Sequence, residues 1–91
     1  MDYSKKITFS ESVFSQEIDG EVVLLDMNSE NYYGLDSVGS DIWKLLREGK
    51  TLQETNDLLL EDYDVSQEQL RQDLEAFVDR LMDIGLIGWM D

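Results

Sequence analysis

The sequence reads as an α+β fold in which a three-stranded antiparallel sheet is followed by three helices. Three observations carry this reading. Apolar residues alternate with period two as far as Leu35 and recur every three to four residues from Val38 onward. Asp19-Gly20 stands between two strand-like runs, and a type I′ hairpin turn needs that chemistry because its central residues take positive φ. Thr51-Leu52-Gln53-Glu54 and Ser66-Gln67-Glu68-Gln69 each have the form of a capping box, which opens a helix.

In the strand-forming part, Ile7 and Phe9 alternate with polar residues. In the next run Phe14, Gln16 and Ile18 share one face, and Val13, Ser15 and Glu17 the other. Val22-Val23-Leu24-Leu25 is an apolar run suited to a central strand. Asn28-Ser29-Glu30 is turn chemistry. Asn31-Tyr32-Tyr33-Gly34-Leu35 then completes the meander as a short aromatic strand. Leu35 is expected to point into the core, which puts Tyr33 and Asn31 on its face and Tyr32 and Gly34 on the other.

Asp36 or Ser37 caps the first helix. Its Val38, Ile42, Leu45 and Leu46 make a stripe with Trp43 beside it, and Gly49 ends it. In the second helix Leu52, Leu59 and Tyr63 share a face, flanked by Leu58 and Leu60. In the third, Leu70, Leu74, Phe77, Leu81 and Ile84 form a continuous stripe closed by Gly85. That helix spans roughly 19 residues, or ~28 Å at 1.5 Å per residue. Leu86-Ile87 adds a short extended segment expected to cover the sheet. Three strands and then three helices make a winged-helix-like arrangement, expected to occupy residues 1–91 as one domain.

Composition excludes several function classes. Histidine and cysteine are absent, which removes thiol nucleophiles, imidazole bases, disulfides and Cys- or His-ligated zinc. The formal net charge is −14, from 21 acidic and 7 basic residues. A nucleic-acid binder displaces counterions with cations, and this surface would repel phosphate. The polar start, Met1-Asp2-Tyr3-Ser4-Lys5-Lys6, has no apolar signal core, and no membrane-spanning run follows. A cytoplasmic protein is expected.

No catalytic constellation emerges. Asp73, Glu75, Asp79 and Asp83 lie on the third helix, mostly off its apolar stripe, where solvent keeps carboxylates ionised. Asp26-Met27-Asn28-Ser29-Glu30 lacks the spacing of a calcium loop and reads as a hairpin turn. Gly34 and Gly39 belong to no phosphate-cradling loop, and Lys44 and Lys50 are isolated amines. Neither an enzymatic activity nor a cofactor is expected.

Binding features are better developed. A meander has two edges, and each must be covered, charged or used. If the outer edge of Asn31–Leu35 is open, its N–H and C=O groups can pair with a guest strand, with the long third helix as the opposite wall. Gly34 would let another backbone approach closely. Phe77 and Leu81 also fall on the apolar stripe and are expected in the core. Asp73 and Arg80 lie on one flank of that stripe and Val78 and Met82 on the other, and either flank could face such a groove.

These same residues carry a resemblance. Val23-Leu24-Leu25-Asp26, Asn31-Tyr32-Tyr33-Gly34-Leu35, Val38-Gly39-Ser40-Asp41-Ile42-Trp43 and the tail from Asp73 to Ile87 together resemble the PqqD family, over about Val13 to Ile87. That family supplies precursor-recognition elements for ribosomally made, modified peptides. The resemblance implies a winged-helix-like peptide chaperone that binds a precursor's leader as an added antiparallel strand. Carried onto this chain, the site is Asn31, Tyr32, Tyr33, Gly34 and Leu35 on the strand. Asp73, Ala76, Phe77 and Arg80 form the helix wall, with Val78 and Leu81 as competitors. A free-standing acidic form is most similar to the leader-binding protein of lasso-peptide clusters, which implies a separate leader protease and a cyclase as partners. The alternative is the carrier of pyrroloquinoline quinone synthesis. The oligomeric state is left open.

Overall fold

In the computed structural model, which describes residues 1–90, local signals close the elements they predict. The order is β1 (Ile7–Phe9), β2 (Val13–Ile18), β3 (Glu21–Asp26), β4 (Asn31–Gly34), α1 (Ser37–Arg47), α2 (Leu52–Asp62), α3 (Gln67–Asp83) and β5 (Ile87–Trp89). β2, β3 and β4 form the expected antiparallel sheet with β3 at its centre. Asp19 and Gly20 make the β2–β3 turn with φ of 53° and 85°. At the β3–β4 turn the Asp26 carboxylate accepts from the Asn28 N–H at 3.1 Å and the Ser29 hydroxyl at 2.9 Å. This is the hairpin chemistry expected there.

The pairing Phe14↔Leu25↔Tyr32 and Gln16↔Val23↔Gly34 fixes the faces of the sheet. Val13, Val22, Leu24 and Leu35 face the helices and are buried, while Phe14, Ile18 and Tyr32 stand on the solvent face. Ser40, 1% exposed, closes the sheet onto α1. Its hydroxyl accepts from the Val22 N–H at 2.8 Å and donates to the Leu35 carbonyl at 3.3 Å. It thus stands in for one bond of the Val22–Leu35 rung, and β4 ends at Gly34, one residue earlier than expected.

The second and third helices begin on their predicted caps, and of the two candidates for the first, Asp36 is the cap and Ser37 the first helical residue. Asp36, Thr51 and Ser66 accept from Gly39, Glu54 and Gln69 respectively. The Thr51–Glu54 box is reciprocal, whereas Ser66 makes only its own half of one. α1 and α3 end in the same way. Gly49 and Gly85 take φ of 90° and 79°, and the following residues, Lys50 and Leu86, bond back to Leu45 and Leu81. These are Schellman closures, which favour glycine at the left-handed position. α3 is 17 residues long, slightly shorter than expected.

The core joins Leu24 and Val22 of the sheet to Ile42, Trp43 and Leu46 of α1, Leu52 and Leu59 of α2, and Leu70, Leu74, Val78 and Leu81 of α3. One expectation changes. The terminal extended segment does not cover the sheet; it pairs with β1 as a separate two-stranded ribbon, Ile7↔Trp89 to Phe9↔Ile87. Leu58, on the flank of the apolar face of α2, is solvent-exposed, while the polar Thr55 and Asn56 are buried. The Thr55 hydroxyl satisfies itself on the Thr51 carbonyl at 2.9 Å, while Asn56 Oδ1 has no partner among the described residues.

Candidate functional site

Main-chain parity decides what the edge of β4 offers. The Leu35 N–H bonds to the Val22 carbonyl at 2.9 Å. In an antiparallel ladder, residues bonded to one neighbour alternate with residues whose N–H and C=O point the opposite way. Asn31, Tyr33 and Leu35 therefore face β3. Tyr32 and Gly34 direct their N–H and C=O groups to the outer edge, where no strand of the described residues pairs with them.

Beside the C-terminal end of that edge lies a groove of about 400 Å³. Gly34 and Leu35 form its β4 side, and Asp73, Ala76, Phe77 and Arg80 its α3 side. The flank left open by the sequence is thereby assigned: the Asp73–Arg80 side borders the groove, and Val78 and Leu81 are core residues at 0% and 1% exposure. Phe77 is half-buried, packed on the core while its ring contributes to the groove. Asn31, Tyr32 and Tyr33 lie along the same strand but outside the groove lining. The Tyr32 ring stands on the opposite face of the sheet with Leu25 and Phe14, 71% exposed. At this edge Tyr32 offers its main-chain groups to the groove side, and its ring is available only to guest residues on the solvent face of the sheet.

The floor of the groove comes from α1. Asp36, Val38, Gly39 and Ile42 also line it, although the sequence pattern marked none of them as site residues. The signal available was Gly39. A Cβ built there would lie 3.1 Å from Asp36 Oδ1, tight against the helix cap, and in contact with Phe77 Cε2 of the groove wall at 3.4 Å. The lining is thus an apolar floor with two carboxylates, Asp36 and Asp73, and one guanidinium, Arg80, around it. Asp36 is engaged by its cap bond from Gly39 at 2.7 Å, and Asp73 accepts from Gln69 Nε2 at 2.9 Å. Arg80 makes no ion pair among the described residues.

The site has the means to hold a strand and a few side chains. Among the described residues, no three His, Cys, Asp or Glu side chains are grouped so as to hold a metal ion, and no helix is long and apolar enough to cross a membrane.

Residues 21–87 match the family described as coenzyme PQQ synthesis protein D (PqqD). No curated protein matches the chain. Among solved structures, TbiB1 in complex with the TbiA(beta) leader peptide is 41% identical over 92% of this chain and 99% of its own, with a TM-score of 0.85. Lasso peptide synthetase B1 complexed with the leader peptide is 23% identical over 91% of this chain and 98% of its own, with a TM-score of 0.84, and shares the fold.

Proposed function

We propose that this chain, which belongs to the PqqD family, binds the leader segment of a ribosomally made precursor peptide without performing chemistry on it. The observation that carries this reading is the β4 edge. Tyr32 and Gly34 present unpaired main-chain groups immediately beside a groove walled by α3. The leader adds as an antiparallel strand, with main-chain bonds supplying affinity and the groove selecting side chains. Asn31, Tyr32, Tyr33, Gly34 and Leu35 form the docking strand, and Asp73, Ala76, Phe77 and Arg80 the facing wall. The likeness to TbiB1, whose structure holds a leader peptide, supports the assignment.

In this reading residues 1–91 act as one recognition unit in the cytoplasm. It hands the precursor to a separate leader protease, and a cyclase then closes the product in lasso-peptide biosynthesis. The fold shared with lasso peptide synthetase B1 supports that pathway. The family description favours a second reading, in which the chain carries the precursor of pyrroloquinoline quinone. The two readings differ in the leader recognised, so titrating both leaders separates them.

The test is a titration of fluorescently labelled leader into the purified protein. We expect micromolar or tighter binding. Phe77→Ala should weaken it by roughly 10- to 100-fold, equivalent to about 1.4–2.8 kcal/mol. A folded protein that binds neither leader at high micromolar concentration overturns the proposal.

A further inference from the structure

The second edge of the sheet is as open as the first. β2 has six residues, and all five after Val13 are exposed, on both faces. Phe14 and Ile18 are 58% and 51% exposed. The strand carries no proline and no lysine, the usual devices that keep an edge from pairing. Its single charge, Glu17, is engaged by Lys44 at 3.0 Å. The recess beside β2 sets Lys44 and Arg47 against Glu17 and Glu48, so its charges balance while the molecule as a whole carries −14.

Parity again determines what can be paired. The Met27 N–H bonds to the Ser12 carbonyl at 2.9 Å, one step beyond the Val13↔Asp26 pair. Phe14, Gln16 and Ile18 therefore bond inward to β3, and Ser15 and Glu17 direct their N–H and C=O groups outward. A guest strand must place its own outward-bonding residues opposite these two. For a second copy of β2, antiparallel about a two-fold axis, this leaves a short series of registers. Centring the axis on Ser15 puts Phe14 against the partner's Gln16. Centring it on Phe14 leaves Ile18 unpaired. Centring it on Gln16 puts Phe14 against the partner's Ile18, and by symmetry Ile18 against the partner's Phe14. The same register sets Ser15 opposite the partner's Glu17, where both main-chain groups can exchange bonds and the hydroxyl can donate to the carboxylate.

We propose that two copies of this chain associate weakly through β2, two-fold about Gln16, to make one continuous sheet. The interface is isologous: it matches the exposed apolar pair of one copy to that of the other. β4 stays at the two outer edges, so the association does not compete with a strand bound there. The global charge of −14 per chain opposes the contact. Salt screens that repulsion, so dimerisation should strengthen as salt is raised, the opposite of an interface held by ion pairs.

The chain has no cysteine, which makes a site-specific test clean. Two residues on the two-fold axis at a non-bonded antiparallel pair have Cα atoms about 4.5 Å apart, within disulfide range. Under mild oxidation at high salt, Gln16→Cys should cross-link much faster than Glu61→Cys, an exposed control on α2. Sedimentation of the wild type should show a concentration-dependent shift toward twice the monomer mass. Ser15→Pro removes an outward N–H and no bond to β3, so it should abolish the shift while keeping the helical circular dichroism. Phe14→Lys should do the same if the proline variant fails to fold. A wild type that stays monomeric into the millimolar range at high salt overturns the proposal, as does Gln16→Cys cross-linking no faster than the control.

Discussion

Gly39 illustrates how a single residue shapes the groove. It lies in the first turn of α1, where a methyl group would meet Asp36 Oδ1 and the Phe77 ring. Gly34, by contrast, has nothing within 4 Å of an added Cβ. Both lie at the candidate site, yet only one is enclosed. Gly39→Ala should therefore weaken leader binding several-fold by filling the floor beside Phe77, while stability changes by less than about 1 kcal/mol because the gain in helix propensity offsets the crowding of Asp36. Gly34→Ala should leave folding nearly unchanged, because its side chain would stand on the solvent face opposite Val23. Titration and thermal melts of the pair check both statements, and equal effects on binding would contradict the assigned geometry. The same scale explains Tyr32. Parity sends its ring to the solvent face and its main-chain groups to the edge, so a guest strand added there can meet both.

At the level of elements, the helices are tied by a few polar contacts as well as by the core. The Tyr63 hydroxyl, at the end of α2, donates to the Asp41 carboxylate of α1. This hydrogen bond, with some desolvation, pushes the Tyr63 pKa up to about 12 from 10.0. A raised pKa means that the folded state holds the proton more tightly than the unfolded chain. The contribution to stability is therefore complete below pH 10 and lost as pH rises toward 12. Tyr63→Phe should flatten the alkaline limb of the stability curve in that window, and spectrophotometric titration of the tyrosines should lose its highest-pH component. An unchanged alkaline limb would mean the contact does not persist in solution. At the start of α2, chain segments far apart in sequence cooperate. The Tyr3 and Lys5 carbonyls accept from the Gln53 and Leu52 N–H groups at 2.8 and 3.1 Å, satisfying helix donors that the Thr51 cap alone leaves open.

For the molecule as a whole, charge is the dominant fact. Twenty-one carboxylates against seven cations impose self-repulsion on a small fold. Raising sodium chloride from low to physiological concentrations should raise the melting temperature by a few degrees, roughly the effect of 1 kcal/mol in a domain of this size. Differential scanning calorimetry over a salt series checks it; a flat response would mean that the charges are spaced too widely to matter. α3 contributes to this field with Glu68, Asp73, Glu75, Asp79 and Asp83 against Arg71 and Arg80. A winged-helix-like arrangement whose longest helix is acidic presents the wrong sign to a phosphate backbone.

Signals that act over a few residues were legible in the sequence. The Asp19-Gly20 turn, the Asp36, Thr51 and Ser66 caps and the glycine closures at Gly49 and Gly85 each depend on chemistry within one turn of chain. The alternation that buries Leu35 and turns Tyr32 to the other face is equally local, whereas the apolar run Val22 to Leu25 did not say that Leu24 is the one fully buried. Contacts between distant segments were not legible. Nothing near Ile7 or Ile87 states that they pair with each other. Thr55 and Asn56 are polar, so no pattern marks them as buried. The flank of α3 that faces the groove is set by how far the helix rotates when Leu70, Leu74, Val78 and Leu81 pack on the sheet and α2, and a stripe of hydrophobic residues is too wide to fix that angle. Local rules thus specified the elements and the strand parity, while the floor of the groove from α1 and the exposure of both sheet edges arose only when those elements packed together.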